Sequence, residues 1–240
     1  MKAMIFAAGY GTRLQPLTNT LPKALAPLNG EPLLKHIILK LQKEKINEFI
    51  INVHHFSQKV IEYLKYNNNF GSKIYISDET DKLLDTGGGL LKASKFFSEN
   101  EDFIVHNVDI FSDINTEKLM QSHQKNGSLA TLAVRKNENS SRLLAFDNEN
   151  TLCYWENTKT GEKKTVKNSN SEMRKFAFTG IHAISQSIFK KIEFSGCFSI
   201  IDLYLNLAKT YKISCTEFEP KYFFDVGEIS MLKKAENFLG

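Results

Sequence analysis

Residues 6–25 read Phe-Ala-Ala-Gly-Tyr-Gly-Thr-Arg-Leu-Gln-Pro-Leu-Thr-Asn-Thr-Leu-Pro-Lys-Ala-Leu, a glycine-rich turn followed at short spacing by two fixed cations, Arg13 and Lys23. The preceding apolar run Ala3, Met4, Ile5, Phe6, Ala7 predicts a short buried strand. Ala8, Gly9 and Gly11 therefore stand where the backbone turns sharply and can approach a ligand with little side chain in the way. N–H groups pointing outward from such a turn, with Thr12 beside them, cradle phosphate oxygens. Arg13 and Lys23 can hold a triphosphate and neutralise charge that builds on a transferred phosphoryl group, which makes them the candidate catalytic pair.

Two carboxylates could complete such a site. The stretch Val105-His-Asn-Val-Asp109 ends an apolar strand on Asp109, with Asn107 at the same strand end as a further nucleotide-binding candidate. Ligands of open α/β sheets gather at the carboxyl ends of strands. The stretch Tyr222-Phe-Phe-Asp-Val-Gly227 puts Asp225 behind an aromatic strand and ahead of a glycine. Two carboxylates facing triphosphate oxygens suit Mg²⁺, a hard ion that takes few protein ligands; either aspartate alone could instead cap a turn or a helix. In Leu83-Leu-Asp-Thr-Gly-Gly-Gly-Leu90, three glycines open a helix, which requires close backbone contact to a ligand or a bend.

Other phosphate motifs fit worse. A dinucleotide fingerprint needs a third glycine where Leu14 stands, and a Walker loop needs Gly-Lys-Ser/Thr where Gly11-Thr12-Arg13 stands. His54-His55 point to opposite faces of an extended segment with no third ligand at useful spacing, and His106 and His182 lie inside apolar strands as core histidines.

The elements that must position these residues alternate. Helical spacing of apolar residues over 33–41 and at 60, 61 and 64 flanks a strand at 49–53. Strands at 73–77, 103–106 and 129–134 then alternate with helices at 90–97 and 116–125, which predicts a mixed, mostly parallel sheet between helices, Rossmann-like in class. From residue 142 the pattern changes: a hairpin over 143–155, a polar loop over 157–170, a strand at 176–184, a helix at 200–208, a strand at 213–217 and a closing helix at 230–238. One domain over 1–240 is expected, with a nucleotide-binding part over about 1–135 and a small β-rich acceptor lobe over about 136–225. The 157–170 loop carries too little apolar surface to be ordered alone, so it is expected to order on acceptor binding.

The chain of 240 residues carries a net charge of +4, with its lysines scattered, which disfavours nucleic acid as a partner. Cys153, Cys197 and Cys215 form neither a disulfide framework nor a zinc motif, and no stretch has the length of a membrane span. A reducing, cytoplasmic setting is expected, with no membrane partner and a monomer or small homo-oligomer. From the chain stopping at Gly240, the expectation is that no acyltransferase or hexapeptide-repeat domain follows.

Residues 7–25 resemble the signature of the sugar-1-phosphate nucleotidyltransferases, Ala-Ala-Gly-x-Gly-Thr-Arg-Leu-x-Pro-Leu-Thr followed by Pro-Lys-x-Leu. The resemblance spans nearly the whole chain but is specific only at its motifs; it implies the nucleotide-diphospho-sugar transferase fold, an NTP and a phosphorylated acceptor as substrates, and Mg²⁺ held by Asp109 and Asp225. It also implies that Gly87, Gly88 and the earlier Glu79 lie against the nucleobase, and that Thr179-Gly180 contacts the acceptor. The family's Glu-Lys pair toward the sugar has its nearest counterpart in Trp155-Glu156-Asn157, which lacks the lysine, and Glu228 stands where a Thr or Asp is often seen. The short length and the Leu-Asp-Thr-Gly-Gly-Gly segment look most like small bacterial uridylyltransferases for N-acetylmuramate 1-phosphate and mannose-1-phosphate guanylyltransferase-like proteins. A sugar 1-phosphate is largely ionised near neutral pH, so attack on the α-phosphate of an NTP needs no general base. Two other classes remain open: a phosphocholine cytidylyltransferase, with Tyr154 and Trp155 facing a quaternary ammonium, and a non-catalytic nucleotide-sugar sensor.

Overall fold

The computed structural model describes residues 1–137, 139–167 and 172–239. The first part runs β1 (Lys2–Phe6), a small β2–β3 hairpin (Pro27–Leu28, Glu31–Pro32), α1 (Leu33–Lys43), β4 (Glu48–Val53), α2 (Ser57–Tyr66) and β5 (Lys73–Asp78). It continues with α3 (Asp85–Lys92), β6 (Asp102–Asn107), β7 (Ile110–Ser112) and α4 (Thr116–Asn126). Then follow β8 (Ala130–Arg135), β9 (Arg142–Phe146), β10 (Leu152–Asn157), β11 (Glu162–Thr165) and β12 (Arg174–Ser185). The chain closes with α5 (Ile200–Leu207), β13 (Ile213–Glu217), β14 (Phe223–Asp225) and α6 (Ile229–Leu239).

The main sheet runs β11-β10-β9-β12-β6-β1-β4-β5, with β8 and β13 joined to it beside β12. Strands β1, β4, β5 and β6 pair in parallel, and their near-continuous apolar sequences reflect helices on both faces. One core lies between the sheet and α1, α2, α4 and α6; the other lies between the sheet and α3 and α5. Helix α1 shows why: Leu33, Leu34, Ile37, Ile38 and Leu41 recur on one face, and all are buried. Strand β12 joins the two parts of the sheet, since Ile181–Ser185 pair with β6 while Arg174, Lys175 and Phe176 pair with β9. No described helix is long and apolar enough to cross a membrane.

Two sequence expectations change. The helix expected over 90–97 is α3, which begins at Asp85 and contains all three glycines, followed by a 3-10 turn over Ala93–Phe96. Helix propensity alone argues against a Gly-Gly-Gly first turn, but close packing overrides it here. The polar loop over 157–170 contains β11, whose backbone pairs with β10 while Val166 packs on the core and Lys163 lies over the Tyr154 ring. Edge pairing orders this segment without apolar alternation. Residues 168–170 of that expected loop lie outside the described residues.

Candidate active site

The chain leaves β1 at Phe6 and turns through Ala7, Ala8, Gly9 and Tyr10 into a 3-10 turn over Thr12–Leu14. The turn is tied from below. Ala7 donates its N–H to the Asn52 side chain at 2.7 Å, and the Thr18 hydroxyl donates to the Gly11 carbonyl at 2.8 Å. Gly11 has φ +66°, and a Cβ there would sit 3.0 Å from the Lys23 Cβ, so only glycine lets Lys23 fold back beneath the loop. Ala8 and Gly9 line a cavity of about 500 Å³ with Arg13, Lys23, Asn107, Asp109 and Asp225; Thr12 is exposed at the start of the 3-10 turn.

Strand pairing brings the distant carboxylates together. In the β7–β14 pair Asp225 stands opposite Ile110, and Val226 donates its N–H to the Asp109 carbonyl at 2.9 Å. A Cβ on Gly227 would lie 2.9 Å from both Asp109 Oδ2 and Asp225 Oδ1, and 3.0 Å from Arg13 Nη2. Three charged side chains thus converge over a residue that can carry no side chain of its own. Lys23 donates to Asp109 Oδ2 in a short ion pair, and Arg13 pairs with Glu228 at 2.7 Å. Burial, and then the charge of Asp109, push the Asp225 carboxyl above the usual range, against the Gly227 N–H, Lys23 and Arg13. Around Arg13, burial is outweighed by the hydrogen bond to Glu228 and by the charges of Asp225, Glu228 and Asp109, which raise the guanidinium pKa.

The glycines of α3 act through packing. Gly87 and Gly88 are buried, and their N–H groups both donate to the Phe198 carbonyl, at 2.9 and 3.2 Å. A Cβ on Gly88 would run into the Gly196 carbonyl, and one on Gly87 into the Phe198 ring. The residues of this segment that line the cavity are Leu83, Asp85 and Thr86. Glu79 is fully buried beneath it, accepting from Asn52 Nδ2 at 2.7 Å and from the Leu84 N–H at 3.1 Å. It therefore braces both the glycine loop, through Asn52, and the turn into α3. Desolvation raises its pKa, although both hydrogen bonds pull it down.

A second chamber of about 250 Å³ opens from the first at Asn107, Ile110 and Asp225 and is walled by Arg135, Thr179 and Gly180. Gly180 has φ +79°, and the register of β12 against β8 shifts between Phe178 and His182; a Cβ at Gly180 would press on Asn107 Nδ2 at 2.7 Å. The bulge makes room for Asn107 at the seam of the two chambers. Glu156 lines neither chamber, and Lys175 of β12 pairs with it at 2.8 Å across β9. Glu156 thus pairs with a lysine of another strand and lies apart from both chambers.

His106 and His182 are buried, and desolvation pushes both pKa values down to about 3, so they are neutral core residues. His182 Nδ1 meets the Tyr204 hydroxyl at 2.8 Å. His54 and His55 lie against the exposed Tyr10 ring, with centroids 5.2 and 5.4 Å apart. The three cysteines are free. No group of three or more potential metal-ligating side chains occurs among the described residues. What converges is one pair of carboxylates flanked by two cations.

The nucleotidyl transferase family matches residues 2–240. The chain belongs to that family. Among its relatives, the mannose-1-phosphate guanyltransferase of Kluyveromyces lactis is 34% identical over 143 residues, 59% of this chain and 40% of that protein. The UTP–glucose-1-phosphate uridylyltransferase of a Synechocystis species is 31% identical over 144 residues, 56% of this chain and 37% of that protein. The chain thus spans about two-fifths of the length of the curated relatives it matches. The solved structure of HddC from Yersinia pseudotuberculosis, complexed with GMP-PN, superposes with a TM-score of 0.79 at 20% identity, over 100% of this chain and 99% of that one. The mixed sheet between helices, with the antiparallel strands β9–β12 continuing it beyond β6, therefore has the fold of that structure.

Proposed function

We propose that this chain transfers a nucleotidyl group from an NTP to the phosphate of a sugar 1-phosphate, giving a nucleoside-diphosphate sugar and pyrophosphate. The observation that carries the reading is the convergence of Lys23, Asp109, Asp225 and Arg13 where the two chambers meet. The carboxylate pair fits Mg²⁺: it offers hard oxygen donors, and Mg²⁺ takes one or two carboxylates and completes its shell with substrate phosphates and water. When bound there it would neutralise charge on the phosphate oxygens.

The protein groups divide the remaining work. Backbone N–H groups of Ala8, Gly9 and Gly11 cradle the triphosphate, and Leu83, Asp85 and Thr86 line the wall for base and ribose. Lys23, held beside Asp109, is placed to donate to a phosphate oxygen, and Asp109 and Asp225 would hold the cation. Arg13 meets the charge developing on the transferred group, and Asn107 and Gly180 shape the entry of the acceptor. The acceptor phosphate is already an anion, so the site works by in-line placement and charge neutralisation, with neutral His106 and His182 as scaffold. The three free cysteines fit a reducing compartment such as the cytoplasm.

The phosphocholine reading finds little support, because Lys163 lies 3.8 Å from the Tyr154 ring centroid and Lys164 5.4 Å from that of Trp155, so cations of the chain already occupy these faces. A sensor would not need all four charged groups at one point. The test is to incubate the protein with Mg²⁺, each of the four NTPs, a panel of sugar 1-phosphates and phosphocholine, measuring pyrophosphate and the sugar nucleotide. Equal amounts of both products with a sugar 1-phosphate are expected. Product with phosphocholine alone, or nucleotide binding without turnover, would replace this reading with one of the other two.

A further inference from the structure

Two long side chains from distant parts of the sequence meet at the mouth of the site. Arg13 rises from the 3-10 turn over Thr12–Leu14, Glu228 stands just ahead of α6, and Arg13 Nη1 donates to Glu228 Oε1 at 2.7 Å. Both backbones are anchored. Leu14 is fully buried and donates its N–H to the Gly11 carbonyl at 2.8 Å. The Glu228 carbonyl accepts from the N–H groups of Met231 and Leu232, and buried Leu232 and Ala235 fix α6 on the core. Two residues before Glu228, Val226 is bonded to the Asp109 carbonyl, so Glu228 and the carboxylate pair share one frame.

The side chains of Arg13 and Glu228 are 57% and 48% exposed, and an ion pair so open to water adds little to stability. Its consequence is geometric. A free arginine side chain samples many rotamers, whereas here Nη1 is taken by Glu228 and Nη2 lies over Gly227, 3.0 Å from the place of a Cβ there. That same place is 2.9 Å from Asp109 Oδ2 and from Asp225 Oδ1. The charges of Asp225, Glu228 and Asp109 all bear on Arg13, yet among the described residues only Glu228 accepts a hydrogen bond from it. Without Glu228, the two aspartates would draw the guanidinium inward, onto the oxygens proposed for the cation. Glu228 is also where this chain departs from the sequences it resembles, in which the shorter Thr or Asp is often seen.

Resting on the nucleotidyl-transfer reading, we propose that Glu228 is a positioning residue that holds the Arg13 guanidinium off Asp109 and Asp225 and aims its remaining N–H groups at the phosphoryl group being transferred. The pair straps the glycine loop to α6, and Glu228 acts through Arg13 alone.

A kinetic double-mutant cycle tests this with Mg²⁺ and the NTP and sugar 1-phosphate that the unmodified chain turns over best. Serine is favoured just before a helix, so Glu228→Ser keeps the start of α6 while removing the reach to Arg13. It should lower kcat by about fivefold or more and shift the KM for the NTP by less than about threefold. In the Arg13→Ala background the same substitution should change kcat by less than about twofold, whereas a general defect of the fold would persist there. Glu228→Gln keeps the length and an accepting oxygen, and should recover at least about threefold of the lost kcat. A smaller loss in Glu228→Ser, a loss confined to KM, a loss that persists without Arg13, or a Glu228→Gln variant no faster than Glu228→Ser overturns the positioning role and leaves nucleotidyl transfer standing. No turnover by the unmodified chain with any NTP and sugar 1-phosphate overturns the transfer reading, and the role of Glu228 with it.

Discussion

The two sides of the cavity system are built from different materials. On the glycine-loop side the wall is largely backbone, held by buried groups: Asn52 fixes Ala7, Glu79 fixes Asn52 and Leu84, and Gly87 and Gly88 let α3 close onto Phe198. On the side proposed for the acceptor the wall is side chain: Arg135, Asn137, Ser140, Arg142 and Phe223. A triphosphate presents the same oxygens in every nucleotide, so a rigid backbone cradle suits it. An acceptor that differs among relatives is read by exchangeable side chains. Substitutions on the first side should therefore cost turnover or stability, and those on the second should move acceptor choice.

The largest effect is expected where the sides meet. Asp109→Asn and Asp225→Asn should each lower kcat/KM by about 10³-fold or more while the melting temperature stays near that of the unmodified chain, as seen in pyrophosphate release and a thermal melt. If either variant keeps more than about a tenth of the activity, the carboxylate pair is not the seam of the two halves. Arg13→Ala comes next, with a loss of about 10²- to 10³-fold in kcat and little change in NTP affinity by calorimetry. Turnover unchanged in this variant would leave Arg13 as no more than the partner of Glu228.

Gly88→Ala tests the backbone side by stability. The new methyl meets the Gly196 carbonyl, an overpacking cost of about 1–3 kcal/mol that should lower Tm by roughly 2–10 °C. An unchanged Tm would mean that the α3–Phe198 contact yields freely. The smallest effect concerns pH. Glu79 keeps its proton to higher pH in the folded chain than the ordinary glutamate value of 4.5, because burial raises its pKa. The native state then binds more protons than the unfolded chain, and stability falls as pH rises from 4.5 through the raised value. Denaturant melts across that window should show a shallower fall for Glu79→Gln. Identical pH profiles would mean that Glu79 is solvated after all.

Much of the first side is legible in sequence because its determinants are contiguous. The apolar run before Gly9, the helical spacing over 33–41 and the Gly11-Thr12-Arg13 turn each specify local backbone, and β1, α1 and the 3-10 turn follow. The strand end at Asp225 is readable from an aromatic stretch that stops on a carboxylate, whereas Asp109, expected to end its strand, sits in the turn after β6 stops at Asn107, and the β7–β14 pairing brings Asp225 to it. What sequence could not give depends on partners far along the chain. Gly227 matters because three charges converge on it, Asn52 because its amide links two loops, and Lys175 because it crosses β9 to reach Glu156. Strand β11 has no apolar alternation and exists through its pairing with β10.

The central claim is that an acceptor phosphate oxygen attacks the α-phosphate of the nucleotide where Lys23, Arg13 and the two aspartates converge. Turnover with a sugar 1-phosphate carrying ¹⁸O in its phosphate, analysed by mass spectrometry of both products, reads it directly. The account predicts that all of the label stays in the sugar nucleotide and that the pyrophosphate is unlabelled. Label in the pyrophosphate, or a sugar nucleotide that has lost label to solvent oxygen, would contradict it.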